Sequence, residues 1–239
     1  MGMKGLIALV GSGEYLPVMD EVDRFLLDHC GVEGRAPRVV CLPTAAGQEG
    51  ESSWGRWMRM GEEHFHHLGA DVTALPIIDR SSADSDKYFP VLETADLIYF
   101  SGGNPTYLFE TMEGSLAWAA AQMAWNRGAV FAGCSAGAMI LGQTIPNFRS
   151  GYFKGINAFS FLSARMIFPH FDRWRLARGA MLAPLRGRLG RGYALGIDED
   201  TALVGRLEVP EWTVMGRQTV SVITRDGMQV YKSGEHILL

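Results

Sequence analysis

The stretch Ala129-Val130-Phe131-Ala132-Gly133-Cys134-Ser135-Ala136-Gly137 runs from a wholly apolar segment into a turn of small residues centred on a serine. An apolar run of this length, bounded by glycine and polar positions, reads as a strand buried on both faces, the mark of a parallel sheet covered by helices. The small residues that follow let the backbone turn sharply and lift the serine hydroxyl clear of the sheet edge, as in a nucleophile elbow. Ala138-Met139-Ile140-Leu141 can begin a helix there, whose first N–H groups would face negative charge forming beside Ser135. Acyl transfer is the chemistry this stretch suggests. A tight strand-to-helix turn that merely holds a serine is the plain alternative.

Working outward, similar apolar runs occupy residues 6–10, 39–42, 72–78 and 97–100, and helix-like stretches occupy 18–28, 52–68, 87–93 and 115–127. Alternation of this kind predicts an α/β fold with a mostly parallel central sheet covered on both sides. From about residue 193 the texture changes to β-rich segments at 201–207, 212–215, 219–224 and 228–231, with Arg225-Asp226-Gly227 as a hairpin turn. This end is expected to form an antiparallel β extension of one α/β domain spanning 1–239.

Composition bounds the rest. At 239 residues and 47% hydrophobic content the chain can bury one large core. A net charge of −4, from 22 basic and 26 acidic residues evenly mixed, offers no electrostatic footprint for nucleic acid or an anionic membrane, so a small molecule is the expected partner. Cys30, Cys41 and Cys134 sit in or beside apolar segments without metal-type spacing, which points to reduced thiols and a cytoplasmic location. The apolar run at 5–10 is too short for a signal segment, and none reaches the roughly 18 residues of a membrane span.

In open parallel sheets ligands gather at the carboxyl ends of the strands. The loops there are Gly11-Ser12-Gly13, Pro43-Thr44-Ala45-Ala46, Ser101-Gly102-Gly103-Asn104 and the Ser135 turn. Backbone N–H groups of Gly102 and Gly103 can approach an oxyanion held above Ser135, with the N–H of Ala136 as a second donor; an ordinary Gly-Gly turn before a helix near Pro105 is the competing reading. Of six histidines, His29, His64, His66 and His67 lie in helix-like stretches before the serine, which leaves His170 and His236 as bases. His170, a single imidazole in Ile167-Phe168-Pro169-His170-Phe171, is preferred.

Taken together, Leu42-Pro43-Thr44-Ala45-Ala46, Phe100-Ser101-Gly102-Gly103-Asn104, Gly133-Cys134-Ser135-Ala136-Gly137-Ala138 and Pro169-His170-Phe171 resemble the serine peptidases of the dipeptidase E and cyanophycinase family, over most of the chain up to about residue 203. That family is similar to a class I glutamine amidotransferase domain whose nucleophile is serine, and it hydrolyses peptide bonds next to aspartyl residues. The resemblance implies a flavodoxin-like three-layer sandwich, Ser135 as nucleophile and His170 as general base, with no metal or organic cofactor. It further implies that Asn104 and the arginines of Arg173-Trp174-Arg175-Leu176-Ala177-Arg178 contact a small peptide substrate bearing carboxylates. Asp172 reads as a helix N-cap, which would place Arg173 and Arg175 in a first turn where the dipole disfavours cations unless an anion compensates them; a solvated helix face is the alternative. The resemblance and the β-rich tail together suggest a homodimer.

One departure stands out: residues 136–169 hold no acidic side chain, whereas the family places a carboxylate between serine and histidine. The substitutes are Asn147, Gln143 or a backbone carbonyl, or a carboxylate from Asp198-Glu199-Asp200, with Asp198 and Asn147 the named candidates. The missing acid keeps open a non-catalytic or altered-substrate binding domain of the same fold. Two further readings are an α/β-hydrolase-type esterase using Ser135, Asp198 or Asp200, and His236, and a cysteine enzyme using Cys134. Gly11-Ser12-Gly13 lacks the third glycine of a dinucleotide fingerprint, and His64 with His67 on one helix face offers only a fragment of a metal site.

Overall fold

The computed structural model describes residues 3–146, 155–174 and 178–239, with backbone alone for 178–181. In chain order its strands are β1 (Ile7–Val10), β2 (Arg38–Leu42), β3 (Asp71–Ala74), β4 (Leu97–Phe100), β5 (Val130–Cys134), β6 (Thr144–Ile145), β7 (Ile156–Asn157), β8 (Ile167–Phe168), β9 (Tyr193–Ile197), β10 (Thr201–Gly205), β11 (Glu211–Gly216), β12 (Thr219–Thr224), β13 (Met228–Lys232) and β14 (His236–Leu238). The central sheet has eight strands in the order β14-β11-β10-β1-β5-β4-β2-β3. Parallel pairing joins β1, β5, β4, β2 and β3, while β10, β11 and β14 continue the sheet antiparallel. A second sheet runs β13-β12-β9-β8.

The apolar runs form this sheet because each strand feeds two cores. Successive side chains of a strand point to opposite faces. Ile7, Leu9, Val40, Leu42, Ile98, Phe100 and Phe131 pack into one hydrophobic cluster, and Ala8, Val10, Val39, Cys41, Leu97, Tyr99 and Ala132 into the other. Helices Pro105–Met112 and Leu116–Arg127 cover the first face, where Phe100 stacks on Phe131 with ring centroids 5.0 Å apart. Helices Asp20–Asp28 and Glu51–His67 cover the second. Burial on both faces, at roughly 25 cal/mol per Å² of apolar surface, is why continuous apolar strings appear where a half-exposed strand would alternate.

Two expectations are corrected here. The strand expected over 72–78 ends at Ala74, since Pro76 has no N–H for the ladder. The β-rich tail is not one extension: β10, β11 and β14 join the central sheet beside β1, whereas β9, β12 and β13 form a second sheet in which β9 pairs with β8. Alternating patterns locate strands but not the sheet they enter, because partner choice depends on long-range packing. The hairpin turn is observed, with the Thr224 N–H donating to Gly227 O at 2.9 Å. No helix among the described residues is long and apolar enough to cross a membrane.

Candidate active site

Strand β5 ends at Cys134 and a single helical turn, Ala136–Met139, follows, so Ser135 is the whole connection. Its backbone is forced to φ 48° and ψ −103°, a sparsely populated region for a residue with a side chain, and the Ser135 N–H donates to Val10 O at 2.9 Å. The turn closes this tightly only because Gly133 has no side chain: a Cβ there would lie 2.3 Å from Gly137 O. Gly133→Ala is expected to destabilise the fold by about 3 kcal/mol, as in overpacked cores, and to displace the serine. A thermal unfolding curve unchanged from wild type would contradict this.

The Ser135 hydroxyl meets the His170 ring, Oγ to Nε2, at 3.1 Å. His170 also has positive φ, 51°, at the turn between β8 and a short 3-10 segment, Phe171–Trp174. Its other nitrogen, Nδ1, lies 2.7 Å from Glu199 Oε1, and Arg173 Nε meets the same carboxylate oxygen at 2.7 Å. Glu199 is itself fixed: its N–H donates to Asp172 Oδ1 at 2.9 Å, and its carbonyl accepts from Thr201 Oγ1 and Gln218 Nε2. The line Ser135, His170, Glu199 has the contacts of a nucleophile, a base and a group that orients the base.

Several sequence expectations are relocated. Asp198 does not reach His170; its Oδ2 accepts from the N–H and hydroxyl of Thr219, tying β9 to β12, because adjacent residues at a strand end point to opposite sides. Asp172 lies inside the 3-10 segment Phe171–Trp174 and holds the Glu199 backbone, while residues 175–177 of the turn it was expected to cap lie outside the described residues. Arg173 pairs with Glu199 and borders the cavity beside the serine. Asn147 and Arg175 lie outside the described residues, as does the side chain of Arg178. The stretch 136–169 without an acid is thus answered from beyond the histidine, by a residue 29 positions further along.

The donors around Ser135 divide. Gly102, assigned to the oxyanion, instead gives its N–H to Glu14 Oε1 at 2.9 Å, so it is not available. Among the described residues no acceptor engages the N–H of Gly103 or of Ala136. Asn104 caps the helix Pro105–Met112, its Oδ1 accepting from the N–H groups of Thr106 and Tyr107, while also lining the cavity. That cavity, about 840 Å³, is bounded by Ser135, His170, Arg173 and an apolar wall that includes Met139, Ile156 and Trp174.

The rival centres are not assembled. His236 lies on the edge strand β14, four strands from β5, beside Thr213 Oγ1. Cys134 is fully buried and donates its thiol to Glu14 Oε2 at 2.9 Å. Burial, then the Glu14 carboxylate, pushes that thiol well above its usual range. Iodoacetamide is therefore expected to leave activity unchanged, and inactivation tracking carboxymethylation at Cys134 would refute this. His64 is buried against Asp23, Nε2 to Oδ2 at 2.8 Å, and no group of three metal-type ligands occurs among the described residues.

Ser135 at the carboxyl end of β5 in the central sheet thus meets His170 and Glu199, which lie beyond β8 and β9 of the second sheet, in the contacts that a serine nucleophile requires. Residues 7–207 match the model of peptidase family S51, and the chain belongs to that family. It is similar to the cyanophycinases of Synechococcus elongatus and Thermosynechococcus vestitus, each 26% identical over 236 residues that cover 93% of this chain and 69% of the relative. Among solved structures, a peptidase from an acI-B1 actinobacterium is 34% identical, with a TM-score of 0.89 over 99% of this chain and 98% of that one. A putative peptidase E protein from Listeria monocytogenes, 17% identical with a TM-score of 0.64 over 90% of this chain and 100% of that one, shares the fold.

Proposed function

We propose that this member of family S51 is a serine peptidase acting on small peptides at aspartyl or other acidic residues. The observation that carries the reading is the pair of contacts on one ring, 3.1 Å from His170 Nε2 to Ser135 Oγ and 2.7 Å from His170 Nδ1 to Glu199 Oε1. In the proposed cycle the hydroxyl oxygen attacks the scissile carbonyl carbon as His170 Nε2 takes its proton. Glu199 accepts the Nδ1–H throughout, which fixes the tautomer and stabilises the imidazolium. The N–H groups of Gly103 and Ala136 donate to the oxyanion. Collapse of the tetrahedral intermediate breaks the C–N bond, and the imidazolium returns its proton to the leaving amine. Water, deprotonated by the same ring, then releases the acyl group and restores the serine.

The acidic preference draws support from Arg173 at the cavity edge and from the cyanophycinase relatives. Pairing through Nε leaves the guanidinium further donors for a substrate carboxylate, although Glu199 already balances part of its charge. The cavity is of a size for a few residues rather than a folded chain. The test is a panel of α-aspartyl, β-aspartyl and alanyl dipeptides with a common second residue. At least one aspartyl series should exceed the alanyl one by about 10²-fold in kcat/KM, as for a site whose polar groups are otherwise left unpaired. Equal rates across the panel would defeat the acidic preference. No turnover of any member, with no labelling by a fluorophosphonate, would defeat the peptidase reading.

A further inference from the structure

The proposed mechanism leaves one buried carboxylate unused. Glu14, 7% exposed, sits on the loop after β1. Its Oε1 accepts the Gly102 N–H at 2.9 Å and its Oε2 accepts the Cys134 thiol at 2.9 Å. Gly102 belongs to the loop after β4, and Cys134 is the last residue of β5, directly before the serine. Because β5 lies between β1 and β4, one rigid carboxylate ties three loop origins across three adjacent strands. Space is tight: a Cβ on Gly102 would lie 2.8 Å from Glu14 Oε1 and 3.4 Å from Ser135 Cβ.

We infer that Glu14 is a positioning residue that fixes the Gly102-Gly103 loop relative to the Ser135 elbow and so aims the Gly103 N–H at the oxyanion. Holding the Gly102 N–H against Oε1 sets the orientation of that peptide group and restricts the next, which carries the Gly103 N–H. Hydrogen bonds to a buried carboxylate are of the stronger class; the two from Glu14 act beside the backbone bonds from Ser101 to Leu42, Asn104 to Ala45 and Ser135 to Val10, none of which fixes the Gly102 N–H itself. The inference rests on the serine reading and adds to it a residue that never touches substrate. Its requirement is an acceptor for the Gly102 N–H at the right reach. Glutamine keeps Oε1 for Gly102 at unchanged length; aspartate retains the charge but is about 1.5 Å shorter; alanine removes both acceptors.

The experiment measures the rate constant for fluorophosphonate labelling of Ser135 in wild type, Glu14→Gln, Glu14→Asp, Glu14→Ala and Ser135→Ala. Rates are normalised to the endpoint labelling stoichiometry, so that only competent folded molecules count, and Tm is recorded beside them. Alanine and aspartate variants should label about 10²-fold more slowly, the scale of an ångström-level misplacement, and Gln should stay within about fivefold of wild type. On any peptide the wild type cleaves, kcat should fall in the same order with KM nearly constant. A purely structural role would instead lower Tm and the labelled fraction while leaving the rate per labelled site unchanged, and that result overturns the inference. So does a Gln variant as slow as alanine. If the wild type resists the probe, or Ser135→Ala is still labelled, the serine reading itself falls and takes this inference with it.

Discussion

Ser135→Ala should lower kcat on any cleaved aspartyl peptide by about 10⁶-fold, the scale seen when a nucleophile is removed from a unit of this kind. The size follows from the loss of the covalent route: without the Oγ, His170 has no hydroxyl to deprotonate, and only the oxyanion donors and substrate binding still act. Some acceleration over water, about 10³- to 10⁴-fold, should survive for that reason. Stability should change little, because the hydroxyl makes one described hydrogen bond, to His170, and the strained φ of 48° is no worse for alanine. Steady-state kinetics and thermal unfolding measured together decide the matter. A variant within tenfold of wild type would mean that the serine is structural.

Glu199→Gln is the second large effect. An amide can no longer act as the carboxylate acceptor that holds Nδ1–H and stabilises the imidazolium, and the loss for such a change is about 10⁴-fold in kcat. Its neighbour provides the contrast. Asp198→Asn weakens the two bonds from Thr219 and should cost about 1–3 kcal/mol of stability, as for an impaired buried acceptor, while kcat stays within a fewfold of wild type. In Glu199→Gln the partner left behind is Arg173, 72% exposed, so solvent takes over much of the lost pairing and stability should barely move. The two carboxylates are thus separable by which quantity changes. Inverted results, with Asp198→Asn inactive and Glu199→Gln active, would return the role to Asp198.

Much of the fold was legible because burial on both faces of a parallel sheet leaves a local mark. The runs at β1, β2, β4 and β5 are apolar without alternation since each contributes to two cores at once. The serine turn was legible for the same kind of reason: Gly133 has no room for a Cβ, and Ser135 holds a backbone geometry that few residues tolerate. The acid beside the imidazole was not. Asp198, Glu199 and Asp200 are equivalent as text, and the pairing of β9 with β12, which turns Asp198 onto Thr219, determines which one faces the ring. Gly102 illustrates the same limit, since a Gly-Gly pair says nothing about a glutamate 88 positions earlier that claims its N–H.

The amino-acid sequence by itself determined the α/β class, the strand-to-helix turn that exposes Ser135, and the preference for His170 over His236. Each of these is written in neighbouring residues, as an apolar run, a cluster of small side chains or a histidine set in an apolar segment. Only the tertiary structure decided that Glu199 holds the imidazole, that Glu14 occupies the Gly102 amide, and that the β-rich tail divides between two sheets. Those outcomes depend on hydrogen bonds and strand pairings between residues far apart in the chain, whose geometry exists only once the cores on both sides of the sheet have closed.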